Sequence, residues 1–275
     1  MQTQQVIQFI KTAMKKTLSD TLLFTNNPTN GVQTEYLLTV NVAQQIATLN
    51  HTDAEPYFIS LEQNTIQFAR QCLPAIVWGQ SDTQDRKLTS IQRLKERSKR
   101  TKLLNFKQVN RTHRTGRIDI AIYQKPKSNT GQISLQPLCA IELKSFNPAK
   151  NKIIADLERN LFFLKLKGNT GESILSYTVF AALHWNKRIN VQDEEQHKVN
   201  LNKKYDEILN FLQPSCEHID ISKEVFILSK SMGTVEIEDV NLDTNEFFES
   251  LDTTTRHHFC GVIVCFRPTQ NTDKL

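Results

Sequence analysis

The chain predicts an α/β fold: a central mixed β-sheet flanked by helices, with a helical elaboration at the N-terminus. Three observations carry that expectation. Residues 117–123 and 138–143 are two β-branched, apolar runs, joined by a connection that holds Pro126, Ser128, Asn129, Thr130, Gly131 and Pro137. That is the composition of a strand, a turn-rich link and a second strand. A segment of helical period over 151–165 then leads to another apolar run at 174–183, so the helix serves as a crossover between strands. Residues 1–105 read as largely helical, and 106–275 as the sheet and its flanking helices, in one domain.

Taken in order, Val6, Ile7, Ile10, Met14 and Leu18 recur at helical spacing with Lys11, Lys15 and Lys16 opposite, predicting a packing helix over 6–18. After a loop at 26–31, Thr34 is the expected N-cap of a helix over 35–49. Its side chains are apolar nearly all round, so most of its surface is expected to be buried. Glu35 stands in its first turn, where the helix dipole favours a carboxylate. A helix over 61–72 packs Leu61, Ile66, Phe68 and Ala69 inward, and 75–78 reads as a short strand.

Residues 86–102 form a basic helix with a thin apolar stripe of Leu88, Ile91 and Leu94. Its cations include Arg93, Arg97, Arg100 and Lys102, relieved only by Glu96. Such a run is ordinarily a solvated helix face. Here the charge continues through Arg111, Arg114 and Arg117 into the strand that carries Asp119, which favours a polyanionic partner.

With Asp119 opposite Glu142 in an antiparallel pair, the turn centre falls between Thr130 and Gly131, where turn residues stand. Both carboxylates then come to one end of the sheet, and Glu142 and Lys144 share a face. Two like charges there repel and are costly to desolvate unless a cation lies between them. All-oxygen ligation favours a hard ion, Mg2+ or Mn2+, over zinc. The alternative is structural: Asp119 is a strand-edge charge, and Glu142 and Lys144 form a same-face salt bridge.

Farther on, the helix over 151–165 buries Ile153, Ile154, Leu157, Leu161, Phe162 and Leu164, with Asp156 and Arg159 spaced to pair with each other. Arg159 and the loop residue Lys150 are alternative contacts for a phosphate backbone. His184 closes the strand at 174–183, where it is either catalytic or structural. Residues 191–197 read as an acidic loop, 201–212 as a helix, and 225–228 and 259–266 as closing strands. The acids between them, from Glu236 to Asp252, read as solvated surface or a partner face.

The composition is that of a globular protein: 275 residues, 39% hydrophobic, with a net charge of +5 that is clustered rather than large. No stretch approaches the roughly 18 apolar residues of a membrane span, and no secretory leader is evident. Five cysteines, none in a CxxC pair, argue against a disulfide framework and for a cytoplasmic setting. Cys260 and Cys265, near His257 and His258, read as core thiols rather than zinc ligands. No nucleotide-binding glycine loop is present.

Asp119 followed by Glu142-Leu143-Lys144 resembles the PD-(D/E)xK nuclease superfamily, the restriction-endonuclease-like fold. Ile118 stands where that pattern has its proline. The resemblance implies a metal-dependent nuclease, acting on DNA in preference to RNA, in which Asp119, Glu142 and the Leu143 carbonyl hold Mg2+ or Mn2+. Lys144 is implied beside the attacking water, and Glu35 as an additional acid reaching the metal directly or through water. Restriction or anti-phage defence is a setting by analogy, with a homodimer or a subunit of a larger system as the assembly. Two rival readings remain: a non-cleaving nucleic-acid-binding module of the same fold, and an interaction scaffold whose basic helix meets an acidic partner.

Overall fold

The structure, a computed structural model, describes residues 3–25, 34–51, 56–74, 116–125, 135–168, 171–186, 191–241 and 246–269. Within the last two spans, side chains are described for 194–228 and 258–269. The helices are α1 (Thr3–Thr25), α2 (Thr34–Ala47), α3 (Thr65–Gln71), α4 (Lys150–Leu164) and α5 (Val191–Leu212). The strands are β1 (Tyr57–Asn64), β2 (Arg117–Gln124), β3 (Gln136–Lys144), β4 (Lys167–Gly168), β5 (Gly171–Glu172), β6 (Tyr177–Asn186), β7 (Ile219–Asn241) and β8 (Glu246–Pro268).

Among the described residues, six strands form one mixed sheet in the order β1-β2-β3-β6-β8-β7, and β4 and β5 make a separate two-stranded ribbon. β3 and β6 run parallel; every other neighbouring pair of the sheet is antiparallel. A parallel pair cannot be closed by a tight turn, and α4 supplies the crossover between these two. The α/β class with a mixed central sheet is therefore as the sequence predicts.

Helices cover both faces. Val6, Ile10 and Met14 of α1 and Leu38, Val42 and Ile46 of α2 pack on Ile120, Ile122, Ile141, Leu143, Val179 and Ile263. On the other face Phe68 of α3, Leu157 and Phe163 of α4 and Tyr205 of α5 pack on Ala121, Ala140, Phe180 and Val264. Each fully buried Leu, Ile or Phe contributes about 1.5 to 3 kcal/mol, so these two layers hold the sheet rigid. Lys11 of α1 also pairs with Glu224 of β7.

Several elements differ from expectation. Residues 57–64 are an edge strand paired with β2, so the helix expected over 61–72 begins only at Thr65, where the Asn64 side chain accepts from Gln67 N at 3.0 Å. The outward Phe58 and Leu61 hid the strand's alternation. α1 runs seven residues past Leu18, its Thr17, Thr21 and Thr25 hydroxyls donating to carbonyls one turn back. α2 is buried on one side only, with Tyr36 62% exposed. The acidic residues expected as a loop at 191–197 are the first turns of α5, and the closing strands lengthen into a hairpin of two 23-residue strands. The turn at Thr130 and Gly131, the strand at 75–78 and the basic helix lie outside the described residues. No described helix is long and apolar enough to cross a membrane.

Candidate active site

β2 and β3 carry the two acids, and their register fixes where those acids meet. Ile120 pairs with Ile141, Ala121 with Ala140 and Ile122 with Cys139, before a bulge at Ile122 and Tyr123 shifts the remainder. Continuing that register one residue sets Asp119 opposite Glu142. Opposed residues of an antiparallel pair share a face, here the face covered by α4. β6 lies parallel beside β3, pairing Lys144 with Ala182. The acids thus stand at the carboxyl end of the parallel pair, where α/β sheets leave room for ligands.

Asp119 and Glu142 differ in how they are held. Asp119 Oδ2 accepts a hydrogen bond from Leu143 N at 2.6 Å. Burial lifts the Asp119 carboxyl to about 6, against that hydrogen bond and the nearby Lys144 charge. Glu142 is only 1% exposed, and its Oε1 has no hydrogen-bond partner. Burial pushes its carboxyl well above the usual range, Arg159 opposes the rise, and Asp119 and Asp156 add to it.

Lys144 ends β3 with its ammonium among oxygens. Nζ donates to the Leu143 carbonyl at 2.9 Å and to Glu35 Oε1 at 3.0 Å, and lies 3.6 Å from Asp156 Oδ2. Glu35 Oε2 also accepts from Ser145 N at 3.4 Å. Burial alone depresses a lysine, but the carboxylates of Asp156, Asp119 and Glu35 outweigh it and hold this ammonium above its ordinary pKa.

Arg159 lies beneath the acids, its side chain 17% exposed. Nη1 donates to the Arg117 carbonyl at 2.9 Å and lies 3.2 Å from Glu142 Oε1, while Nη2 donates to Asp156 Oδ1. The expected Asp156 and Arg159 pair forms, and it is part of the site rather than a surface pair.

The structure therefore brings together Asp119, Glu142, Leu143, Lys144 and Glu35, and it turns Arg159, expected as a contact for a phosphate backbone, inward against Glu142 and Asp156. The Glu35 carboxylate reaches the site through Lys144 and the Ser145 amide. Arg117 is exposed at the start of β2, its guanidinium 3.8 Å from Glu62, and Lys150 is exposed at the start of α4. Arg93, Arg97, Arg100, Lys102, Arg111 and Arg114 lie outside the described residues. Asp156 is the residue that sequence reasoning left out of the site. Its signal was available: Asp156 and Asn160 are polar residues on the otherwise apolar buried stripe of α4.

His184 is buried between partners rather than open to the site. Its Nδ1 lies 3.2 Å from Asn147 Oδ1 and its Nε2 3.0 Å from Tyr205 Oη. Burial, with Lys204 and His197 nearby, holds it down to about 3. It ties β6 to α5 and to the loop after β3.

As a seat for a hard divalent ion, the donors are of the right kind: two carboxylates and a backbone carbonyl, all oxygen, with one buried carboxylate oxygen lacking a hydrogen bond. Among the described residues no three His, Cys, Asp or Glu side chains gather as a ready metal site. Mg2+ takes one or two carboxylates and keeps several waters; here Asp119 Oδ2 accepts from Leu143 N, the Leu143 carbonyl accepts from Lys144 Nζ, and Glu142 Oε1 faces Arg159.

Comparison of the chain with protein families, with curated proteins and with solved structures returned no match.

Proposed function

We propose that the chain is a metal-dependent nuclease that hydrolyses phosphodiester bonds of nucleic acid, DNA in preference to RNA, on a restriction-endonuclease-like fold. The observation that carries this reading is the convergence of Asp119, held by Leu143 N, and buried Glu142 at the sheet end, with the Lys144 ammonium beside them. Asp119, Glu142 and the Leu143 carbonyl would hold Mg2+ or Mn2+. When bound, such an ion offsets charge on the scissile phosphate and makes a bound water more acidic. Lys144 orients the attacking water and stabilises the negative charge that develops on it. Glu35 acts through Lys144, fixing the ammonium from the side of α2. Burial excludes bulk water around Glu142, which strengthens each of these interactions.

Arg93, Arg97, Arg100, Lys102, Arg111, Arg114 and Arg117, which precede Asp119 in the sequence, and Lys150 would supply the cations that hold a polyanionic substrate. The test is cleavage of plasmid and oligonucleotide substrates with magnesium, manganese or EDTA, using Asp119→Ala and Lys144→Ala as controls. Metal-dependent cleavage lost in both variants supports the reading; cleavage that persists in EDTA overturns it.

A second reading, a non-cleaving nucleic-acid-binding module of the same fold, draws on one observation. The chain's own cations already face the acids, Arg159 against Glu142 and Lys144 against Glu35 and Asp156. Binding without cleavage in any metal selects this reading.

A further inference from the structure

Asp156 is 3% exposed in the middle of α4, and both of its oxygens face cations. An i,i+3 pair on a helix surface contributes a few tenths of a kcal/mol and explains no burial. Burying a carboxylate is expensive unless its charge is matched. Here the matching comes from two directions. Oδ1 accepts from Arg159 Nη2, while Oδ2 lies 3.6 Å from Lys144 Nζ, a group on a different element. Arg159 is itself fixed by the Arg117 carbonyl at 2.9 Å, so Asp156 is anchored before Lys144 is considered.

From this geometry we infer that Asp156 is a positioning residue of the candidate site, holding the Lys144 ammonium and the Arg159 guanidinium at fixed places beside Asp119 and Glu142. Lys144 has a long, flexible stem and would otherwise sample many rotamers. The Leu143 carbonyl and half-exposed Glu35 hold it from one side. Asp156, buried and clamped, defines the other. This inference rests on the reading of Lys144 as the residue beside the attacking water.

The test has two arms. In the metal-free protein, the rate at which an amine-reactive reagent modifies Lys144 is followed by peptide mass spectrometry. Asp156→Asn is expected to raise that rate about tenfold, the order of losing one buried ion-pair partner, and Asp156→Glu to restore part of the protection. Asp156→Ser keeps a group that can accept from Arg159 and leaves Arg159 in place against Glu142, and it gives the same readout where Asp156→Asn does not fold. An unchanged Lys144 rate in the folded variants overturns the inference. In the second arm, Asp156→Asn lowers kcat by about 100-fold with KM nearly constant, as a misplaced group does; an equal loss through KM alone also overturns it. Wild-type protein that cleaves nothing in magnesium sinks the nuclease reading by itself, and the Lys144 rates still decide whether Asp156 positions the ammonium.

Discussion

Arg159 Nη1 and Glu142 Oε1 face each other at 3.2 Å inside the protein, yet no hydrogen bond joins them. The guanidinium donates instead to the Arg117 carbonyl and to Asp156. Glu142 therefore receives charge from Arg159 without its oxygen being satisfied. Removing the cation strands two buried acids, and breaking such a pair costs about 3 to 5 kcal/mol. Arg159→Leu should lose stability of that order in urea titrations. Glu142→Gln, which removes a charge that is poorly satisfied, should lose much less.

Catalysis should separate these residues from the stability they confer. Asp119→Asn and Glu142→Gln are expected to lower magnesium-dependent cleavage by at least about 100-fold, because each removes a carboxylate that would hold the ion offsetting charge on the phosphate. Lys144→Ala should fall equally far while still binding oligonucleotide. Gel-shift and single-turnover measurements on the same preparations check both statements.

Acid stability should show two opposing slopes. Asp119, raised to about 6 in the folded chain from 3.8, contributes stability fully present below 3.8 and lost as the pH rises through 6. His184, lowered to about 3, and His197, lowered to about 4, do the reverse: their contribution is present above 6.5 and lost as the pH falls. Between 3.8 and 6 the effects partly cancel. Asp119→Asn should steepen the loss on acidification and His184→Gln should flatten it, each by at most about 1.4 kcal/mol per pH unit. Urea midpoints measured from pH 4 to 7 give the answer.

The His184 ring also predicts a local effect. Tyr205→Phe deletes the hydroxyl 3.0 Å from Nε2 and leaves a buried ring nitrogen with one partner fewer, at a cost of about 1 to 3 kcal/mol at neutral pH. Thermal unfolding of the variant measures it.

If the basic segment binds nucleic acid, charge removal there should act through salt. Each of Arg93→Ala, Arg97→Ala and Arg100→Ala is expected to weaken binding alike across sequences and to reduce the slope of log affinity against log salt by about one. A salt titration by fluorescence anisotropy reads that slope directly.

The centre of the sheet was legible because β2 and β3 are dense in β-branched residues and their pairing has one register that brings the acids together. The edge was not. In β1 an outward Phe58 and Leu61 break the alternation, so the sequence carries a helical period through Leu61 instead. Asp156 was legible as a partner of Arg159 but not as a neighbour of Lys144. That contact depends on how α4 lies across β3, which no local pattern specifies. The extra turns of α5 show the same limit: its acidic start lacks an apolar stripe, and the helix is held by packing farther along, through Leu201, Tyr205 and Ile208.

One ammonium is gripped from two layers, by Glu35 of α2 above the sheet and by Asp156 of α4 below it. Neither helix can slide along the strands without tugging on that nitrogen. The tip of β3 is thus a rivet through three plates, with α2 and α4 both tied to the nitrogen that stands beside Asp119 and Glu142.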